Sequence, residues 1–158
     1  MRTIVTEFEK VIEELKKQNR LDKKALIEPN FYLSYEKLYK NILTLATKVI
    51  EKTNKNEVVG IVTNRGVSTV VAMFACIYAN NPYVVIDVES PKHRVNKIIE
   101  VAKPKLILVD KHNQNQWDFF QDIASICVDI TYNDACYDKS LIKKRLEKMV
   151  STCLLYTS

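Results

Sequence analysis

Between Thr3 and Asn19 the apolar residues Ile4, Phe8, Ile12 and Leu15 recur three or four positions apart, and glutamates and lysines fill the gaps. That spacing draws one apolar stripe along a helix and predicts an amphipathic helix lying on a surface. Two short runs, KALIE and FYLS, then flank Pro29-Asn30. Proline fixes φ and asparagine tolerates left-handed backbone, so the dipeptide predicts the turn of a β-hairpin. Ser34 stands at an N-cap position ahead of Leu38, Ile42, Leu45, Ala46 and Val49, which predicts a helix ending near Thr53.

From Val58 onward the pattern changes. VVGIVT, YVVID, LILVD and ICVDI are continuous apolar runs, separated by helix-like segments from Val67 to Ala79, from Pro91 to Ala102 and near Gln114 to Ala124. Strands without polar alternation are expected where helices cover both faces of a sheet. The alternation therefore predicts an α/β domain with a largely parallel sheet flanked by helices, preceded by an N-terminal helix and a β-hairpin. Trp117, Phe119 and Phe120 read as packing residues, and Thr131 to Ser140 as the loose connection.

Composition narrows the classes. A chain of 158 residues with 47% hydrophobic content is long enough for one domain that buries roughly 70% of its unfolded surface. Of the net charge of +5, four units arise from Lys139, Lys143, Lys144, Arg145 and Lys148 against Glu147. A charge run of this kind reads as the solvated side of a helix, and no nucleic-acid partner is expected. Cys76, Cys127, Cys136 and Cys153 show no CxxC spacing, sit mostly among apolar residues and read as buried free thiols in a reducing compartment. His93 and His112 form no ligand pair, so no metal site is expected. The start, MRTIVTEFEK, lacks a signal-type apolar core, and VSTVVAMFACIYA is too short for a membrane span. No membrane partner and a cytoplasmic location follow as expectations.

Only Gly60 and Gly66 are present, which excludes a G-x-G-x-x-G fingerprint and a complete Walker loop. A G-x-S-x-G nucleophile elbow is also lacking. No catalytic residue is assigned within the chain.

Three stretches nevertheless resemble one family in the right order. LSYEKL (Leu33 to Leu38) is similar to an L-T/S-Y-x-E-L segment, and NRGVSTVVAMFACIYANNPYVVID (Asn64 to Asp87) to R-S-x-E-x-x-x-x-x-L-A-x-L-K-A-G-x-A-Y-V-P-I-D. SPKHRVNKIIEVAKPKLILVD follows directly and resembles Y-P-x-E-R-I-x-x-x-L-x-x-x-x-x-x-x-L-L. These segments belong to the adenylate-forming enzymes, most closely the amino-acid adenylation domains of nonribosomal peptide synthetases. The similarity runs from Thr3 to about Asp110. Lys37 stands where the family has glutamate, so a capping box with Ser34 loses its reciprocal bond. Asn80 replaces a glycine that requires φ > 0, for which asparagine is the next-best residue. Tyr78, Pro82 and Val85 replace the family's lysine, alanine and proline. Asp87, at the end of a strand, has a ligand role open to it, although shaping the following loop with Ser90 and pairing with Arg94 is the favoured reading.

The resemblance implies a two-step ligase. A carboxylate attacks the α-phosphate of magnesium-bound ATP, and a thiol takes the acyl group from the resulting adenylate. The implied cofactors are ATP and Mg2+, and the implied partners are a carboxylic or amino acid and a carrier-protein phosphopantetheine or CoA. The phosphate loop, the metal carboxylate and the catalytic lysine come later in the family's order, so the chain is expected to be the N-terminal portion of an adenylation domain over residues 1–152 and inactive alone. Acyl-CoA or D-alanine ligases remain within the implied range. The rival class is a non-catalytic α/β docking module presenting Lys139 to Lys148.

Residues 153–158, CLLYTS, have two readings. By resemblance, Tyr156, Thr157 and Ser158 open the phosphate loop, with the hydroxyls of Thr157 and Ser158 facing ATP. The same six residues are also the translation of a transposon end used in preparing sequencing libraries, and the preceding MVSTC does not match the family's D-L-A-Y-I/V. The adapter-derived tail is the preferred reading, and it voids the ATP role of Thr157 and Ser158.

Overall fold

The computed structural model describes residues 2–64, 66–110, 122–130, 135–147 and 156–157. Five helices and seven strands are formed by these residues: α1 (Ile4–Lys17), β1 (Lys24–Glu28), β2 (Phe31–Ser34), α2 (Tyr35–Lys52), β3 (Val59–Thr63), α3 (Val67–Tyr78), β4 (Tyr83–Asp87), α4 (Lys92–Ala102), β5 (Leu106–Asp110), β6 (Ala124–Val128), α5 (Lys139–Leu146) and β7 (Tyr156–Thr157). The expected α/β architecture is present.

Local chemistry sets the helix ends. Thr3 and Thr6 close a capping box at α1, with Thr6 N–H donating to Thr3 Oγ1 at 3.1 Å and Thr3 N–H to Thr6 Oγ1 at 2.8 Å. Ser34 Oγ accepts from Lys37 N–H at 3.2 Å, so α2 keeps half of its box. The helix α3 ends in a Schellman motif: Asn81 N–H donates to Cys76 O at 2.9 Å, Asn80 N–H to Ile77 O at 3.1 Å, and Asn80 takes φ 57°. Asparagine thus fills the left-handed position that glycine holds in the family pattern.

The strands order β6-β5-β3-β4-β7, and every pairing between neighbours is parallel. The chain runs from β3 out to β4, then crosses back to β5 and β6, so its direction reverses between β3 and β5. One face of the sheet, with Ile61, Leu106 and Leu108, packs into a core shared with α2 and α3. The other face, with Val62, Ile86, Ile107 and Val109, packs beneath Val95 of α4. Burial on both faces explains the unbroken apolar runs. Gly60 is needed at the centre, because a Cβ there would come within 2.6 Å of Ile107 Cδ1.

Two expectations shift. The strand read as ICVDI begins two residues earlier, at Ala124, because the ladder with β5 sets it: Leu106 pairs with Ala124 and Asp110 with Val128. Backbone pairing takes in Ala124 and Ser125 although both are exposed. Ala124 therefore belongs to a strand, while the remainder of the helix expected near Gln114, with Trp117, Phe119 and Phe120, lies mostly outside the described residues. The loose connection ends at Asp138, whose carboxylate accepts from Ser140 N–H at 3.0 Å and Leu141 N–H at 3.1 Å and so starts α5.

The basic run is a more substantial correction. Lys139, Lys143 and Lys144 are exposed, but Arg145 turns inward. Its guanidinium donates to Thr53 O at 2.7 Å, Ile50 O at 3.1 Å, Ala79 O at 3.3 Å and Asn81 Oδ1 at 3.1 Å. In return Asn80 Nδ2 donates to Arg145 O at 3.2 Å. The cation occupies the place where α2 and α3 both end, and orphan carbonyls with the negative ends of two helix dipoles favour a positive charge there. Asp138 N–H donates to Thr47 Oγ1 at 3.1 Å, fixing the other end of α5 to α2.

A second polar tie holds α1. The Glu9 carboxylate accepts from Tyr39 Oη at 2.8 Å and from Tyr78 Oη at 2.9 Å, joining α1 to α2 and α3. Phe8 packs alongside, its ring centroid 5.1 Å from that of Phe74 and 6.2 Å from that of Tyr39. Burial, with the Glu9 carboxylate beside both phenols, pushes Tyr39 and Tyr78 far above the ordinary tyrosine range. Tyr78, a departure from the family pattern, is thereby given a structural role.

The sign of that shift makes an alkaline prediction. A raised folded pKa means that the stability from these phenols is complete below about pH 10 and is lost as pH rises further, when the unfolded chain ionises and the folded chain does not. Replacing both by phenylalanine should lower stability at neutral pH by about 1–3 kcal/mol and flatten its decline above about pH 10. Urea unfolding followed across that pH range measures both effects; an unchanged alkaline slope would exclude the linkage. Separately, Arg145→Lys should cost about 2 kcal/mol, because one ammonium cannot span acceptors arranged for a planar fork. Lys143→Ala, on the exposed side of the same helix, should stay within about 0.5 kcal/mol in the same assay.

Candidate functional site

In open α/β sheets ligands bind outside the carboxyl ends of the strands, where the strand order reverses. Here that edge comprises Thr63, Asp87 and Asp110, the last residues of β3, β4 and β5, with Gly66 ahead of α3 and β7 beside β4. The helix α3 starts at this edge, and Gly66 provides no side-chain cap for it. A distant residue serves instead. Glu28, the last residue of β1, reaches over from the hairpin, and its Oε1 accepts from Val67 N–H at 2.7 Å. Gly66 is fitted to this contact, since a Cβ there would lie 2.6 Å from Glu28 Oε1. On the neighbouring strand the Asp110 carboxylate accepts from Ser68 Oγ.

The arrangement has a chemical consequence. A helix N-terminus at a reversal point is well suited to an anion, because its N–H groups are unpaired and its dipole is positive there. At α3 the N–H of Val67 is already bonded to the protein's own Glu28 carboxylate, and the Ser68 hydroxyl beside it donates to the Asp110 carboxylate. The hairpin is tied to the sheet by the same bond.

Asp87 stands at the next strand end. Its Oδ1 accepts from Glu89 N–H at 2.9 Å, and its carbonyl accepts from Ser90 N–H at 3.0 Å. This is the loop-shaping arrangement expected of Asp87 and Ser90. Arg94 lies on the exposed side of α4. Thr157 is on β7 and pairs with Val85, two residues before Asp87, while Ser158 lies outside the described residues. Among the described residues no group of three or more His, Cys, Asp or Glu side chains is arranged to hold a metal ion, and no helix is long and apolar enough to cross a membrane.

Sequence reasoning missed Glu28, Ser68 and Asp110. One signal was available: a helix that begins at glycine, with no Ser, Thr, Asp or Asn at its cap, leaves N–H groups that another part of the chain must satisfy.

Comparison with known proteins places the chain, rather than this edge, in a family. The model for "AMP-binding enzyme" matches residues 12–157. Tyrocidine synthase 1 of Brevibacillus parabrevis is 31% identical over 91 residues, 57% of this chain and 8% of that protein. An aldehyde reductase, lnaA, of Aspergillus flavus is 31% identical over 93 residues, 58% of this chain and 9% of its own length. The chain therefore spans under a tenth of these relatives. Among solved structures, the nonribosomal peptide synthetase FmoA3 in an AMPPNP-bound form superposes with a TM-score of 0.70 at 20% identity, over 82% of this chain and 14% of that one. This likeness establishes the fold. With the family model matching nearly the whole length, the chain belongs to the AMP-binding enzyme family.

Proposed function

We propose that this chain is the N-terminal portion of an adenylation domain whose complete form activates an amino-acid carboxylate with ATP and Mg2+ and passes the acyl group to a carrier-protein phosphopantetheine thiol. The observation that carries the reading is the family match over residues 12–157. It is supported by relatives named as synthases. Other relatives are named aldehyde reductases. An acyl thioester is chemically open either to condensation or to reduction, so transfer to a thiol is the step compatible with both names.

The residues at hand do not themselves fit the nucleotide and its metal. Gly60 packs against Ile107 and Gly66 against Glu28, so neither glycine is available to cradle phosphate. The Val67 N–H at the start of α3 is bonded to the Glu28 carboxylate, and the described residues hold no acidic cluster for Mg2+. Catalysis of adenylation is chiefly positioning and charge neutralisation, and these residues contribute the scaffold. In this reading Thr157 and Ser158 are the first hydroxyls of the phosphate loop if residues 153–158 are native, and have no role if they derive from an adapter. A cytoplasmic location accompanies the reading. The docking-module alternative loses part of its basis, because Arg145 is committed to backbone carbonyls inside the protein.

Purified 158-residue chain should give no ATP–pyrophosphate exchange above a blank with any of a panel of amino and fatty acids, whereas the product of the uninterrupted gene should exchange with at least one amino acid. Exchange by the short chain, or its absence from the gene product across the panel, would overturn the proposal. Sequencing the source locus decides the tail: Gly-Thr-Thr-Gly or a close variant immediately after Ser158 would make Thr157 and Ser158 phosphate-loop residues.

A further inference from the structure

The helix α5 has eight residues, and Ile142 is its one buried side chain. Lys139, Ser140, Lys143 and Lys144 are exposed. A helix so short does not persist in water by itself, and so little buried apolar surface gives it a weak hold on its neighbours. Polar bonds supply most of the attachment. Asp138 N–H donates to Thr47 Oγ1 ahead of the helix, Asn80 Nδ2 donates to Arg145 O, and the Arg145 guanidinium spans the ends of α2 and α3.

The groups that receive this cation owe nothing to α5. Nη1 donates to Ala79 O at 3.3 Å and Asn81 Oδ1 at 3.1 Å, and Nη2 to Ile50 O at 3.1 Å and Thr53 O at 2.7 Å. Each terminal nitrogen of a guanidinium carries two N–H donors, so all four are matched. Three of the acceptors are carbonyls at helix ends, which lack intrahelical partners. The fourth is fixed by its surroundings: Asn81 is 1% exposed, and its Nδ2 donates to Asn54 O at 3.0 Å and Glu57 O at 2.9 Å, which holds Oδ1 as the acceptor. A cleft of ≈ 670 Å³ runs along the same junction, bordered by Ile50, Thr53, Leu141 and Arg145.

We propose that the joined ends of α2 and α3 are a guanidinium-binding socket built entirely by the α/β body, and that α5 is a strap which plugs into it through Arg145 and leaves as a unit while the body stays folded. Segments with few buried apolar contacts open at lower free energy than the core. The socket selects a planar fork over an ammonium, because two pairs of acceptors must be met from two separate nitrogens. The inference is independent of the adenylation reading.

Native-state hydrogen exchange of the unaltered 158-residue chain tests the strap. After correction for intrinsic rates, the amides of Ile142 to Leu146 should exchange at least about tenfold faster than those of Val49 and Cys76, and with a smaller dependence on urea, because their opening exposes less surface. A shared rate and urea slope would mean that α5 opens only with the whole molecule, which overturns the proposal. Arg145→Ala empties the socket and tests the ligand. Methylguanidinium chloride at millimolar concentration should raise the urea midpoint of this variant saturably, and more than methylammonium chloride or sodium chloride does, while the unaltered chain shows no such preference. An equal response to methylammonium removes the socket. Failure of Arg145→Ala to fold counts against the proposal as well, since the body would then depend on its strap.

Discussion

A parallel sheet buried on both faces is the constraint from which most of this structure follows. The strand β3 lies at its centre, and its residues alternate between two separate cores, Ile61 into the larger and Val62 into the smaller. Neither face tolerates an unpaired polar group, and the connections from β3 to β4 and from β4 to β5 leave the sheet, cover it with a helix and return. Close packing at the centre removes even the methyl of alanine at Gly60, where Ile107 already fills the space. The reversal of strand order between β3 and β5 then sets which strand ends lie beside one another.

Covering helices bring their own problem, since four N–H groups and four carbonyls at each helix are left without intrahelical partners. The helix α3 solves it at both ends with residues far away in the chain. Glu28, 39 residues before Val67, satisfies its start. At its finish Asn80 and Asn81 turn the backbone while Arg145, more than 60 residues later, collects the carbonyl of Ala79 together with Asn81 Oδ1. The hairpin and α5 are thus attached to the sheet domain through the ends of one helix. Each attachment has the charge that the helix dipole favours, a carboxylate at the N-terminus and a guanidinium at the C-terminus.

What could be read in the sequence was whatever local chemistry decides. The hairpin around Pro29-Asn30, the Ser34 cap and the left-handed Asn80 are determined within a few residues, and all three were legible. Continuous apolar runs gave the strands, because burial on both faces leaves a composition signal. The register of β6 was not legible, since its ladder with β5 extends over Ala124 and Ser125, which have no apolar signature. Arg145 read as one charge in a solvated run because nothing near it in sequence indicates that the ends of α2 and α3 converge there. At the candidate edge Asp87 behaved as its position suggested, but Glu28, Ser68 and Asp110 are brought together by topology alone.

That convergence bears on where nucleotide chemistry could be built. A phosphate approaching the N-terminus of α3 would have to displace Glu28 from Val67 N–H and would remain near the Asp110 carboxylate held by Ser68. Like charges at such separations repel strongly where water is scarce. The edge between β4 and β7 differs: among the described residues β7 pairs with β4 through Tyr156 and Thr157, opposite Val84 and Val85. The end of α3 at this edge therefore serves the scaffold, tying the hairpin to the sheet through Glu28.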